Sequence, residues 1–284
     1  MYADERRRQI ASLTAVEGRV NVSELARHFD VTPETIRRDL AALDDSGMLH
    51  RVHGGAVAAQ NFHTAEEALD ARLRSAPQAK AAIAEAALSF LPEAGGSIFL
   101  DAGSTVHSFA SLIRLNNAAS GLSVVSNSLP IALSLANVPD TTVQLLGGTV
   151  RALTQAVVGD IALRTMALLR ADVAFLGTNA ITLDNGLSTA DPQEAAIKTT
   201  MVTNARKVVV LCDATKLGND FLVNFASLDD VDVIITDSTA PTSFVQELRD
   251  KGIEVVVADP RAASYTILSD PISVHTIEAR RLPR

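Results

Sequence analysis

Two groups of residues in this 284-residue chain have types and spacings that could do chemistry. The first is the adjacent pair Arg37 and Arg38, inside the run Thr-Pro-Glu-Thr-Ile-Arg-Arg-Asp-Leu over residues 32–40. Two guanidinium groups side by side on one short helix suit hydrogen bonding to the phosphates and base edges of nucleic acid. The second group is a set of short polar loops, each following an apolar run. They read Asp-Ala-Gly-Ser-Thr at 101–105, Ser-Asn-Ser at 126–128, Gly-Gly at 147–148, Gly-Thr-Asn at 177–179 and Asp-Ala-Thr-Lys at 213–216. A turn such as Gly103-Ser104-Thr105 entering a helix offers backbone N–H groups, two hydroxyls and the positive helix end, which together suit a phosphate. Lys216 adds a cation where only four other lysines occur from residue 77 onward. Gly147 and Gly148 permit close backbone approach. Asp101, Asn127 and Asp213 can hold sugar hydroxyls, and Ser126 belongs to the same set. Each loop alone is ordinary turn chemistry; their recurrence at the ends of buried strands points to a phosphorylated sugar or polyol. Glu194, in Asp-Pro-Gln-Glu over 191–194, reads either as a sugar-binding or catalytic carboxylate or as half of a capping box with Pro192 at the first helical position.

The elements that must position the arginines are three short helices and a hairpin. Ile10 and Leu13 mark the first helix, which runs to a turn near Gly18. Asn21 and Glu24 have capping-box spacing before a helix that buries Val22, Leu25 and Phe29. After a turn at Asp30–Val31, Thr32 caps the third helix and Pro33 takes its first position. Ile36, Leu40 and Leu43 recur at i, i+4, i+7 and face inward. Glu34, Arg37, Arg38 and Ala41 then face out, the small alanine letting a surface come close. Extended residues 48–53, a Gly54-Gly55 turn and Ala-Val-Ala close a hairpin, so that residues 1–57 read as a winged helix-turn-helix.

Residues 58–76 read as a linker with some helix around Glu66–Leu73. From there to residue 258, short apolar strands alternate with helices: 97–100, 122–125, 143–146, 172–176, 207–211, 231–235 and 253–257. Continuous apolar strands of this kind indicate an α/β fold with a mainly parallel, Rossmann-like sheet covered on both faces. Helix is expected from Lys80 to Leu91, a hairpin at Asp184-Asn-Gly, and no regular period after Asp259.

Composition bounds the rest. The net charge is -8, yet residues 1–56, with eight arginines against nine acidic residues, carry only -1 of it. That excludes a general nucleic-acid coat while leaving room for a local basic site. The lone Cys212, in Val-Val-Val-Leu-Cys, fits core packing and a reducing compartment. The charged N-terminus leads into no apolar segment and the longest apolar runs are strand-sized, so a cytoplasmic protein with no membrane partner is expected. His50 and His53 lack a third ligand nearby, and neither metal nor cofactor is expected.

The runs at 22–29, 31–40 and 49–56, together with Leu43, are similar to the signature of the DeoR family of bacterial transcriptional regulators. So are those at 98–105, 124–128, 146–148, 172–177, 186–189, 194–198 and 211–218. The resemblance spans roughly residues 4 to 258 and joins ordered motifs from both halves. It implies a winged helix-turn-helix joined to a sensor domain (77–258) related to ribose phosphate isomerases and CoA transferases, with a tail (259–284) of unassigned role. Such regulators usually repress sugar-catabolism operons and are released by a phosphorylated sugar. On that reading Thr32, Thr35, Arg37 and Arg38 contact double-stranded operator DNA in the major groove. Arg51 and His53 approach from the wing, and a dimer or tetramer spans repeated half-sites. The alternative is a sugar-phosphate isomerase with an accessory DNA-binding head, for which Glu194 or Asp213 is the candidate base; catalysis would not need the head.

Overall fold

The computed structural model describes residues 3–17, 19–46, 48–52, 54–58, 62–63 and 66–261. His53, Gly18 and the chain beyond 261 lie outside the described residues.

The N-terminal unit runs α1 (Ala3–Glu17), β1 (Arg19–Asn21), α2 (Val22–Phe29), α3 (Pro33–Asp45), β2 (Leu49–Val52) and β3 (Gly55–Ala58). Ile10, Leu25, Phe29, Ile36, Leu40, Leu43 and Leu49 form its core. The helix faces read from the sequence agree with this packing, but two local details differ. Asn21 caps α2 by accepting from Ser23 N at 2.8 Å, and Glu24 lies exposed, so this end is a simple cap in place of a capping box. The expected hairpin is also a three-stranded sheet in the order β1-β3-β2. Gly55 explains how β1 fits: a Cβ there would stand 2.0 Å from the Val20 carbonyl oxygen, so only glycine admits the third strand. Gly54 beside it, at φ +81, makes the turn.

β4 (Phe62–His63) and α4 (Leu69–Arg74) lead to the larger unit. There α5 (Pro77–Ala87), β5 (Ser97–Leu100), α6 (Ser104–Leu115), β6 (Ser123–Ser126), α7 (Leu129–Leu135) and β7 (Thr142–Leu145) are followed by the hairpin β8 (Thr149–Val150) and β9 (Val157–Val158). Then come α8 (Asp160–Ala167), β10 (Ala171–Gly177), β11 (Ala180–Thr182), β12 (Gly186–Thr189) and α9 (Pro192–Asn204). The chain ends its described course with β13 (Ala205–Leu211), β14 (Asp220–Phe221), β15 (Val223–Ala226), β16 (Val233–Asp237), α10 (Thr242–Asp250) and β17 (Glu254–Ala258). The helix expected to reach Leu91 ends at Ala87 and tightens into a 3-10 turn over Leu88–Phe90.

Seven strands form one parallel sheet in the order β17-β16-β13-β10-β5-β6-β7. Alternate residues of its central strands enter different cores, as a pleated strand requires. Phe99, Ala174, Leu176, Val208 and Val210 pack with Met166, Ile197 and Val245 from α8, α9 and α10. Ile98, Leu100, Phe175, Val209 and Leu211 pack with Ile83, Phe109 and Ile131 from α5, α6 and α7. Cys212 is buried in the first core, and burial pushes its thiol well above the ordinary value. The Asp184-Asn-Gly turn joins β11 to β12, with Gly186 at φ +75. No helix among the described residues is long and apolar enough to cross a membrane.

The strand order places the site. From β5 the chain moves outward through β6 and β7, then returns to the other side of β5 as β10 and continues outward to β17. A crevice opens beyond the carboxyl ends of strands where such an order reverses. Here that point lies between Asp101, after β5, and Gly177, at the end of β10.

Candidate functional sites

On α3, Thr32 has extended φ/ψ and its hydroxyl accepts from Thr35 N at 3.2 Å, with the two threonine hydroxyls 2.9 Å apart. Pro33 follows as the first helical residue, which fixes where the helix starts. With Ile36, Leu40 and Leu43 buried, Arg37 and Arg38 project from the exposed face. Arg37 pairs with Glu34 at 3.3 Å, an exposed i,i+3 contact that competes weakly with a phosphate. Arg38 has no ion pair among the described residues. Arg37 and Arg51 line one cleft between α3 and the wing, together with Asn21, Ser23 and Gly54. The structure thus gathers Thr32, Thr35, Arg37, Arg38 and Arg51 in one unit, while His53 lies outside the described residues. Arg6 and Arg7, two of the eight arginines of residues 1–56, turn inward: their Nε atoms reach the buried Asp39 at 2.6 and 3.0 Å. Asp39 is thereby neutralised beneath the face that carries Arg38.

In the larger unit, Asp101 Oδ2 accepts from Gly177 N at 3.0 Å and from the buried Lys198 ammonium. Lys198 also donates to Gly177 O at 3.0 Å and stands 5.4 Å above the Phe225 ring. Complete burial pushes the Asp101 carboxyl above its ordinary value, against the pull of Lys198. Asn127 Oδ1 accepts from Ala102 N at 2.9 Å, fixing the loop that leads into α6. Two polar atoms of this group, Asp101 Oδ1 and Asn127 Nδ2, are buried with no hydrogen-bond partner among the described residues. Buried polar groups are nearly always paired, so this acceptor and this donor have the capacity to take hydroxyl groups.

Beside them α6 starts at Ser104, its Gly103 N-cap offering no side chain to the first N–H groups. One cation stands at that end, with two more near it. A Cβ on Gly103 would meet Arg72 Nη2 at 3.8 Å. Lys80 and Lys216 are close enough to each other and to Arg72 to lower the Lys80 pKa further, after burial, to about 8; Asp213 opposes them. Lys216 follows Asp213, whose carboxylate accepts from Thr215 N at 3.1 Å and caps the 3-10 turn Ala214–Lys216. Backbone N–H groups, a helix end and clustered cations are what a phosphate needs.

The other sequence-chosen residues have framework partners, Glu194 among them although it stands close enough to Asp101 to push that carboxyl upward. Ser126 Oγ donates to Leu100 O at 2.7 Å and accepts from Ser128 N at 3.0 Å, so its hydroxyl ties β6 to β5. A Cβ on Gly148 would stand 2.5 Å from Val158 O, and Gly147 is exposed, so this pair serves the close β8–β9 hairpin. At the start of α9, Asp191 Oδ1 accepts from Gln193 N and Glu194 N at 2.9 and 3.0 Å. The Glu194 carboxylate instead takes the guanidinium of Arg151 and the hydroxyl of Thr154. Arg151 further contacts Glu66 at 3.1 Å and Asp191 at 3.4 Å.

Arg72, Lys80, Arg151 and Lys198 were not among the residues chosen from sequence. Lys198 left a signal: it stands one helical turn after Glu194, a charged pair on a face that must be buried. Lys80 is the one cation among the alanines of α5, which also carries Glu85. Arg72 and Arg151 sit in polar stretches and left none.

Residues 6–62 match the DeoR-like helix-turn-helix domain and residues 75–238 the DeoR C terminal sensor domain. The HTH-type transcriptional regulator GlpR of Haloferax volcanii is 38% identical over 256 residues, covering 90% of this chain and 98% of that protein. The HTH-type transcriptional repressor CsqR of Escherichia coli is 32% identical over 90% of this chain and 96% of its own. The glycerol-3-phosphate regulon repressor of Escherichia coli is 31% identical over 90% and 99%. The ribose 5-phosphate isomerase A structure from Methanocaldococcus jannaschii aligns loosely, with TM-score 0.36 and 18% identity over 49% of this chain and 53% of that one. Matched along both of its units, the chain belongs to the DeoR family of transcriptional regulators.

Proposed function

We propose that this protein represses a sugar- or polyol-catabolism operon and is released from its operator by a phosphorylated ligand bound beyond the carboxyl ends of β5, β6, β10 and β13. The observation that carries this is the pairing of two orphaned polar atoms, Asp101 Oδ1 and Asn127 Nδ2, with the start of α6, where Arg72 stands close to Gly103. One half suits hydroxyls and the other a phosphoryl group. In this assignment Gly103, Ser104, Thr105, Lys216 and Lys80 hold the phosphate, and Asp101 and Asn127 hold hydroxyls. Residues 1–57 form the DNA-binding domain and 77–258 the effector domain. The names of the relatives, one of them a glycerol-3-phosphate regulon repressor, support a small phosphorylated ligand. Against turnover stands the commitment of both candidate bases: Glu194 to Arg151 and Thr154, and Asp213 to the turn it caps. Self-association onto repeated half-sites is supported by the open edge of β7 and the exposed Leu145, Val150 and Ile161 nearby.

The test is fluorescence anisotropy of the gene's upstream DNA, adding glycerol 3-phosphate, fructose 1-phosphate, fructose 6-phosphate and ribose 5-phosphate singly. Release by one of them at micromolar to millimolar levels supports the reading; conversion of any of them to its isomer overturns it. On the same DNA, Arg38→Ala is expected to lose about 1–3 kcal/mol, roughly 5- to 160-fold in affinity. If Arg38 contacts phosphate, the loss comes with a shallower salt dependence, by about one unit of slope; if it reads a base, with relaxed sequence preference.

Ligand affinity is expected to depend on pH through Lys80. A bound dianion favours the charged ammonium, whose pKa of about 8 means that affinity falls as pH rises through that value. Below about pH 6 the phosphomonoester gains a proton and affinity falls again. Calorimetry at pH 8 in two buffers of different ionisation enthalpy should show proton uptake on binding; its absence would remove Lys80 from the site.

A further inference from the structure

Residues 63–74 fall between the two matched domains, 6–62 and 75–238. They nonetheless reach the pocket. Glu66 is a buried carboxylate shared by two arginines, Arg72 at 3.5 Å and Arg151 at 3.1 Å. Arg151 in turn binds Glu194, at the start of α9. At the other end of α4, Lys80 donates to the carbonyls of Arg72 and Ser75, so this lysine fastens the end of the helix that carries Arg72. Leu69 N donates to Leu153 O at 2.9 Å, and β4 pairs with β14, just beyond Lys216. α4 also packs on α6, the helix whose start forms the anion site.

We propose that the joining segment is itself part of the effector site: Arg72 contributes to phosphate binding, and Glu66 competes with the ligand for it. This rests on the phosphorylated-ligand reading above and adds how binding reaches the DNA-binding unit. The Glu66–Arg72 contact at 3.5 Å is long for an ion pair, while Glu66 keeps a nearer partner in Arg151. A phosphoryl group at the start of α6 offers Arg72 a doubly charged acceptor that a planar guanidinium can meet with two hydrogen bonds. Moving Arg72 from Glu66 to the ligand, with Lys80 bonded to its carbonyl, shifts the helix that leads back toward the wing. A ligand changes DNA affinity only by binding the two arrangements differently, and Arg72 is a residue whose partner differs between them.

The experiment titrates glycerol 3-phosphate and inorganic phosphate into the full chain by calorimetry, then measures how far each, at saturation, weakens DNA binding. The comparison is between wild type, Arg72→Gln and Glu66→Gln. Arg72→Gln is expected to weaken both ligands about ten- to a hundredfold. At saturating ligand it should retain little of the wild-type effect on DNA affinity. Glu66→Gln is expected to do the reverse, binding severalfold tighter and releasing DNA at lower ligand concentration, a gain that a misfolded variant could not show. Wild-type affinity and DNA response in Arg72→Gln would overturn the proposal while leaving the pocket intact. So would Glu66→Gln weakening the ligands, which would make the pair scaffold only. If neither probe binds wild type, the phosphorylated-ligand reading and this proposal fall together.

Discussion

Asp39→Ala is expected to abolish operator binding by unfolding the N-terminal unit, although Asp39 touches no DNA in the proposed complex. Asp39 is 2% exposed and takes Arg6 and Arg7, from α1, through its two carboxylate oxygens. Truncation leaves the Arg6 guanidinium, itself 7% exposed, without its 2.6 Å partner. Breaking a buried pair in this way costs about 3–5 kcal/mol, because the surviving charge stays desolvated. A unit of this size has a margin of the same order. The expected record is a thermal trace in which one transition moves down sharply while that of the effector unit stays in place. DNA affinity is lost at 25 °C and phosphate binding is retained. Arg38→Ala is the contrast, with DNA affinity lost and no transition moved. An Asp39→Ala protein with wild-type melting and wild-type DNA affinity would show that α1 is not held to α3 through this carboxylate.

That contrast also shows where sequence reading succeeds and where it stops. The faces of α3 were legible because Ile36, Leu40 and Leu43 recur at helical spacing, and what faces the core fixes what faces out. The parallel sheet was legible because its central strands are continuous apolar runs buried on both faces, as in β10 and β16, although the edge strands β7 and β17 are partly exposed. What the sequence could not weigh was the destination of a charge. Arg6, Arg7 and Arg38 look alike in one dimension, yet two of them end on Asp39, 33 and 32 residues away, and only the third stays exposed. The pocket follows the same rule. Gly103, Asp101 and Asn127 stood out because turn residues after buried strands converge at one sheet edge. Ser126 and Gly148 carried the same signal for a different reason, since a framework hydrogen bond and a close hairpin use the same residue types as a ligand cradle. Arg72 and Arg151 were invisible because no helical spacing links them to their partners: Glu66 lies 6 residues before Arg72, outside α4, and Glu194 lies 43 residues after Arg151.

Lys198→Met should separate the stability of the pocket from its binding function, through a pH dependence that wild type shows less strongly. Lys198 is 2% exposed and pairs with Asp101, which is fully buried. Methionine fills a similar volume without the charge, so the cost is that of an uncompensated carboxylate, about 3–5 kcal/mol at neutral pH. The protein can avoid part of that cost by keeping Asp101 protonated. Burial already pushes this carboxyl upward, with Lys198 as the main force pulling it back, so removing the lysine raises it further. A group whose folded pKa exceeds its unfolded value gives stability at low pH that is lost as pH rises through the folded value. The deficit of Lys198→Met against wild type is therefore expected to be small near pH 5. It should grow with pH by up to about 1.4 kcal/mol per unit until Asp101 is ionised. Adding Asp101→Asn removes the charge while the amide oxygen can still accept from Gly177 N. The double variant should recover most of the stability and lose its pH dependence, yet still fail to bind glycerol 3-phosphate, since Asp101 Oδ1 is replaced by a donor. Chemical denaturation of the three proteins at pH 5, 6.5 and 8 reads the first part and calorimetry the second. A deficit independent of pH would mean that Lys198 acts by packing alone, and a double variant that binds normally would move the hydroxyl half of the site away from Asp101.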